Sequence, residues 1–396
     1  MPQSRPEELT LSNWDLGGPI SAWSYAHADQ LFPTLPLFPG RAPVGLAGSS
    51  RTVPAAVVRE LESGLVESAV VLLHGQVAHS GPSVAGRPRL LMSVTKVIAS
   101  LIIGILADRG DVDYDQPIGR YVARLGPQWE GCRLVDVLDM ASGVVCPEVG
   151  DPGSYLDPQH PFFQFEASLG WRPATKADSP FDLVSSYDRV GEPGAELAYT
   201  SVNTFLLAWV VETVTDLSYI EAVQQLVWDQ LALTDRAAWT VNHSGTAVAH
   251  GGLIMTTEDL ARLATVFTPS GRALGHGLAV PASYTDMLHE PRNLRTPWTP
   301  EGAWPAGQWN WITPDGDMFK SGFGGQGVFI SPSRDIVIAF TGTPGIGGTT
   351  NRLGELCQDW ASSLAQQQHG QSLPEDPLRL APSTLTGAER LPHHDG

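Results

Sequence analysis

The chain has 396 residues, 42% of them hydrophobic and 17% charged, which leaves ample apolar surface to bury and excludes both a single small module and a disordered chain. Lys plus Arg number 24 against 42 for Asp plus Glu, a net charge of −18. That field repels phosphate backbones and anionic lipid, so nucleic-acid and membrane-surface roles are disfavoured.

Residues 1–14 are polar and contain proline, without the basic head and apolar core of a secretory signal. The longest apolar run, 97–107, is about half of what a bilayer span requires. A soluble cytoplasmic protein is expected. The first stretch, to about residue 50, is rich in Pro and Gly with scattered aromatics (Trp14, Trp23, Tyr25, Phe32, Phe38), and reads as an extended arm pinned to the body by those rings. A short helix over 53–63 follows, then strands over 67–73 and 77–79 joined at His74-Gly75. Residues 93–108 carry helical spacing in a strongly apolar segment, with Gly110 at the C-terminal cap position, so this helix is predicted to be buried.

From 111 to about 304 the pattern is helical pieces, the clearest at 134–140, 201–215, 219–231 and 257–267, separated by irregular stretches such as 149–180. No convincing run of strands is expected there. Strand character returns at 318–319, 327–331 and 335–341, with Ser331-Pro332-Ser333-Arg334 as a hairpin turn. A last helix spans 351–367 after a loop at 345–350, and 374–396 reads as a polar disordered tail. Strands at both ends imply a sheet assembled from both termini: an α/β lobe over 1–110 (arm 1–50) and 305–368, a helical lobe over 111–304, and a tail over 369–396.

Three motifs carry chemistry. Ser93 and Lys96, at i and i+3 of the apolar helix, share one face, so the amine reaches the hydroxyl one turn away. The helix N-terminus and the apolar surroundings disfavour the ammonium form, which makes Lys96 a base for Ser93. Tyr199-Thr200-Ser201, with Asn203 just beyond, places a phenol at a helix mouth, as phenolate base, proton relay or simple aromatic staple. Lys320-Ser321-Gly322-Phe323 enters a strand near the C-terminus, where the Lys supplies positive potential that favours anionic substrates and a backbone N–H contributes to an oxyanion hole.

Ser93-x-x-Lys96, Tyr199-x-Ser201 and Lys320-Ser321-Gly322, in that order, resemble the serine β-lactamase and penicillin-binding-protein superfamily, in its class C and esterase branch. Leu138-Asp139-Met140-Ala141-Ser142-Gly143, His250-Gly251-Gly252-Leu253 and Gly322-Phe323-Gly324-Gly325-Gln326 add to the likeness. Leu11-Ser12-Asn13-Trp14 through Trp23-Ser24-Tyr25-Ala26-His27 is similar to the 6-aminohexanoate-dimer hydrolase subgroup. The resemblance implies an α+β fold of two lobes, an antiparallel sheet flanked by helices plus an all-helical lobe, with the nucleophilic helix at their boundary. It also implies Ser93 as nucleophile, Lys96 as activator and Tyr199 as general base and acid. The oxyanion would lie between the N–H groups of Ser93 and Phe323, with Ser201, Asn203, Lys320, Ser321 and Gly322 binding substrate. Ser201 stands where β-lactamases usually have Asn, which fits esterase and amide-hydrolase relatives, whereas Lys320 is a residue the 6-aminohexanoate-dimer hydrolases lack.

Competing signals are weaker. Gly322 to Gly327 spells GxGxxG but precedes a strand, so a dinucleotide site is not expected. There is no GxSxG and no HExxH, and Cys132, Cys146 and Cys357 form no CxxC pair and no disulfide framework. His250 is read as structural rather than catalytic, through hydrogen bonds. The leading expectation is a cofactor-free, metal-free serine hydrolase of small esters or unstrained amides. The alternatives are an acyltransferase, a β-lactamase or D,D-peptidase, and an inactive binding protein on the same fold; a homodimer is left open.

Overall fold

The computed structural model describes residues 4–81, 86–144, 146, 148, 150–151, 153–174, 179–296, 299–343 and 352–368. Ten strands occur among them: β1 (Thr34–Leu37), β2 (Val66–Leu73), β3 (Gln76–Gly81), β4 (Arg89–Leu90), β5 (Ala237–Thr240), β6 (Leu253–Met255), β7 (Trp311–Ile312), β8 (Met318–Gly322), β9 (Gln326–Ser331) and β10 (Ile336–Gly342). Six form an antiparallel sheet in the order β3-β2-β10-β9-β8-β7, which joins strands from both ends of the chain as the sequence implies. β2 turns into β3 through His74 (φ 50°) and Gly75 (φ 73°), the left-handed pair a tight hairpin needs.

Both faces of this sheet are apolar. On one face Val70 and Leu72 of β2 lie with Val337 and Ala339 of β10 in the main core, packed against the Thr257–Ala264 helix. On the other, Ala69, Val71 and Leu73 meet Ile336, Ile338 and Phe340, covered by Val57 and Leu61 of the Ala55–Leu61 helix and by Leu353, Cys357 and Trp360 of the Leu353–Gln368 helix. Strict alternation along β2 and β10 therefore makes a three-layer sandwich. The Lys96–Asp108 helix is apolar on all sides and buried from Lys96 to Leu106, as its composition requires. None of the described helices is long and apolar enough to cross a membrane.

Two expectations are corrected. A second sheet, β1-β5-β6-β4, lies partly within the segment expected to lack strands. Its strands are two to four residues long and β6 is buried throughout, so neither length nor alternation reveals them. The N-terminal arm is also more ordered than expected, with helices at Gly18–Ala26 and Ala28–Leu31 leading into β1. Trp14, Trp23, Tyr25 and Phe32 are buried anchors, but Phe38 is 54% exposed. The arm is held by charge as well. The buried Arg172 guanidinium forks onto Asp15 (Nη1–Oδ1 2.7 Å, Nη2–Oδ2 2.5 Å) and donates through Nε to Glu166 at 2.7 Å, while Trp14 Nε1 donates to the Trp171 carbonyl at 2.9 Å. The irregular stretch 149–180 contains the short helices Gly153–Leu156 and Pro161–Ser168. The expected loop at 345–350 and tail at 374–396 lie outside the described residues.

Candidate active site

Ser93 sits on a 3-10 turn, Met92–Thr95, that runs directly into the Lys96–Asp108 helix. The residue before it, Met92, has φ 49°, a left-handed conformation that a side-chain-bearing residue adopts only when its surroundings impose it. The imposing neighbour is β8. A Cβ on Gly322 would lie 2.5 Å from the Leu91 carbonyl oxygen and 3.2 Å from Met92 Cβ, so only glycine lets the strand approach the nucleophile's turn this closely. Ser93 and the backbone at Phe323 thereby come to one place.

Tyr199 precedes the Ser201–Thr215 helix, and its neighbour Thr200 ties that entry to the Cys146 carbonyl at 3.0 Å. The Tyr199 ring lies between two amines, with Lys96 Nζ 5.4 Å and Lys320 Nζ 5.1 Å from its centroid. Lys96 Nζ donates to Ser201 Oγ at 2.7 Å. Burial lowers the Lys96 pKa to about 8, against the opposing pull of Glu148 and Glu166, which puts a neutral amine within reach near neutral pH. Burial raises the Tyr199 hydroxyl, Glu148 adds to the rise, and the Ser93 hydroxyl as hydrogen-bond partner pulls the other way. The resting phenol is neutral. Of the roles open to Tyr199 in the sequence, the resting phenolate is disfavoured by this burial.

The sequence missed Glu148. This carboxylate is 5% exposed; its Oε2 accepts from the Ser201 N–H at 2.5 Å and its Oε1 from the Ser201 hydroxyl at 3.0 Å. Its signal in the sequence is faint: a lone acid after Val144, Val145, Cys146 and Pro147 and before Val149, in a stretch otherwise read as loop. No motif connects it to Ser201.

A cavity of about 380 Å³ opens onto Ser93, Tyr199 and Glu148. Its mouth carries Tyr155 stacked on Phe323 (centroids 5.4 Å, 15° between planes), and it continues along β8 past Ser321 to the stacked pair Trp311 and Phe319. Asn310 lines it too, its Oδ1 held by the Ser321 N–H at 2.9 Å. Ser93, Tyr199, Phe323 and Ser321 thus converge on it, with Gly322 as the close-approach point and Ser201 behind Lys96.

Lys320 and Asn203 do not line this cavity. Lys320 is 1% exposed and faces a much smaller space beneath Tyr199; burial, followed by the like charge of Lys96, pushes its pKa well below the usual lysine value. The amine expected to lend the cavity positive potential is therefore buried away from it, where its charged form is disfavoured. Asn203 is fully buried and accepts from the Ser142 hydroxyl at 2.9 Å, which fastens the Ser201–Thr215 helix to the Met140-Ala141-Ser142-Gly143 segment. His250 is structural, though not through hydrogen bonds: it packs between Phe165 and Trp171, both ring nitrogens lack a partner among the described residues, and burial keeps it neutral.

A serine and a lysine one turn apart, a tyrosine against them, and a β-strand edge beside the nucleophile define a serine hydrolase of the β-lactamase-like type. Residues 58–345 match the Beta-lactamase family, and the chain belongs to it. It is 31% identical over 358 residues, 85% of this chain and 88% of the other, to the 6-aminohexanoate-dimer hydrolase of Paenarthrobacter ureafaciens. Among solved structures, a Bacillus anthracis protein described as a 6-aminohexanoate-dimer hydrolase superposes with a TM-score of 0.76 at 20% identity, over 94% of this chain and all of that one. EstCE1, described as a hydrolase with promiscuous acyltransferase activity, gives 0.59 at 14% identity over 77% and 96% of the two chains.

Proposed function

We propose that the protein hydrolyses an ester or unstrained amide through an acyl-enzyme on Ser93. The observation that carries this reading is the convergence of Ser93, Tyr199 and the Phe323 backbone on one cavity, with the amine of Lys96 buried directly behind. In acylation the Ser93 hydroxyl attacks the substrate carbonyl, and its proton passes to Lys96, directly or by way of Tyr199. The developing oxyanion is held by the N–H groups of Ser93 and Phe323. Collapse expels the alcohol or amine, which takes its proton from Tyr199 as Lys96 passes the Ser93 proton on to the phenol. A water molecule then gives up a proton to the same groups as it attacks the acyl-Ser93 ester, and they return that proton to Ser93 Oγ as the acid leaves, restoring the free enzyme.

The aromatic rings of the lining suit an acyl group with flat or apolar surface, which stacks on Tyr155 and Phe323. Acyl transfer is the second reading, favoured by that same mouth: stacked rings hold an organic alcohol or amine where water would otherwise stand, and the fold neighbour EstCE1 is described with such an activity. Hydrolysis with and without a competing amine separates the two. Under hydrolysis the acid is the sole product, whereas under transfer the new amide rises with amine concentration at constant total turnover.

A further inference from the structure

Glu148 belongs to none of the three motifs, yet it is the carboxylate closest in hydrogen-bond terms to the base of the reaction. We propose that Glu148 is a positioning residue that acts through the Ser201 hydroxyl on Lys96, holding the amine against the nucleophile and sharing its proton. The inference rests on the serine-hydrolase reading and adds to it the group that governs the base.

The geometry has a single sense. Ser201 Oγ accepts from Lys96 Nζ at 2.7 Å and donates its one proton to Glu148 Oε1 at 3.0 Å, while Glu148 Oε2 is fixed by the Ser201 N–H at 2.5 Å. A proton leaving Lys96 forms an O–H bond at Ser201 as the Ser201 proton forms one at Glu148. One N–H bond is exchanged for one O–H bond, the trio keeps its net charge, and Lys96 is left as a neutral amine facing Tyr199 and Ser93. Because no proton has to reach solvent, the exchange can happen with substrate closing the cavity. After Lys96 has taken the Ser93 proton, its ammonium again donates to Ser201 Oγ, with the exchanged proton resting on Glu148.

The surroundings favour such sharing. Burial raises the Glu148 carboxyl and lowers the Lys96 ammonium, bringing two groups of ordinarily distant affinity toward each other. The other titratable groups acting on the pair are Lys320 on β8, Glu166 on the Pro161–Ser168 helix, Tyr155, Tyr199, Cys146 and His250. Burial disfavours the charged forms of Lys320 and His250, and Glu166 is paired with Arg172. Glu148 is thus the carboxylate joined to Lys96 by a hydrogen-bonded bridge.

The test is the pH dependence of Ser93 phosphonylation by a fluorophosphonate, which needs no knowledge of the substrate. Labelling should rise with pH as Lys96 loses its proton. Glu148 raises the Lys96 pKa, so Glu148→Gln should move that rise to lower pH by roughly one to three units, the usual effect of a nearby opposite charge, and should slow labelling at the plateau. Ser201→Ala keeps the carboxylate but cuts the bridge, and should move the rise the same way by less. A folded Glu148→Gln with the wild-type profile overturns the inference. If that variant does not fold, Ser201→Ala decides: a displaced profile supports the link and an unmoved one refutes it. A wild type that takes no label at Ser93 refutes the hydrolase reading itself, an outcome distinct from an unshifted variant.

Discussion

Lys320 offers a quantitative contrast between what its motif suggests and what its burial dictates. Were it an ammonium, its Nζ, 5.1 Å from the centre of the Tyr199 ring, would act on an anionic substrate group at a similar distance. At 5.1 Å and an effective dielectric of about 20 the attraction is about 3 kcal/mol, or more than ~100-fold in affinity for an anionic over a neutral ester. Burial and the neighbouring Lys96 disfavour that ammonium, and Lys320 does not line the cavity, so the expected contribution is far smaller. Lys320→Met keeps the volume and removes the amine. KM for a pair of p-nitrophenyl esters of equal size, one with a terminal carboxylate, should change by the same factor for both, within about two-fold, at pH 7. A selective loss of ~100-fold for the anionic ester would show that Lys320 is charged and reaches the substrate, and the reasoning from burial would fall.

Other consequences are equally direct. Tyr199→Phe should slow both acylation and deacylation by roughly 10²- to 10⁴-fold, as removal of a proton-transfer group does; pre-steady-state release of p-nitrophenol reads the first step and decay of the adduct the second. Gly322→Ala should force β8 away from the Leu91 carbonyl, 2.5 Å from the new Cβ, and lower kcat by roughly 10²- to 10³-fold with little change in KM, the loss that accompanies a misplaced oxyanion donor. Arg172→Met leaves Asp15 and Glu166 buried without their cation and should cost about 3–5 kcal/mol in urea unfolding at pH 7. An unchanged unfolding midpoint would show that the Arg172 ion pairs contribute nothing to holding the N-terminal arm.

What the sequence reveals, and what it hides, follows from how far apart the determining residues lie. The Lys96–Asp108 helix is legible because its apolar run and Gly110 are local, and the hairpins at His74-Gly75 and 331–334 are legible because turn chemistry is local. Ser93 and Lys96 come together by helical spacing alone. The sheet β1-β5-β6-β4 is hidden because strands of two to four residues carry no period and pair across distant segments. Glu148 is hidden for the same reason: it meets Ser201 from 53 positions away, and no local pattern links the two. Lys320 shows the converse, a motif residue whose charged form is disfavoured first by burial and then by Lys96, which comes from another element.

The central claim, an acyl-enzyme on Ser93, is tested most directly by intact-protein mass spectrometry after rapid mixing with a p-nitrophenyl ester and acid quench, followed by peptide mapping. The account predicts one added acyl group, carried by the peptide containing Ser93, formed at a rate matching the burst of p-nitrophenol and absent from Ser93→Ala, which should retain less than about a thousandth of the wild-type turnover. Turnover without any adduct in the wild type, an adduct on another residue, or a Ser93→Ala variant keeping more than about a tenth of the activity would contradict it.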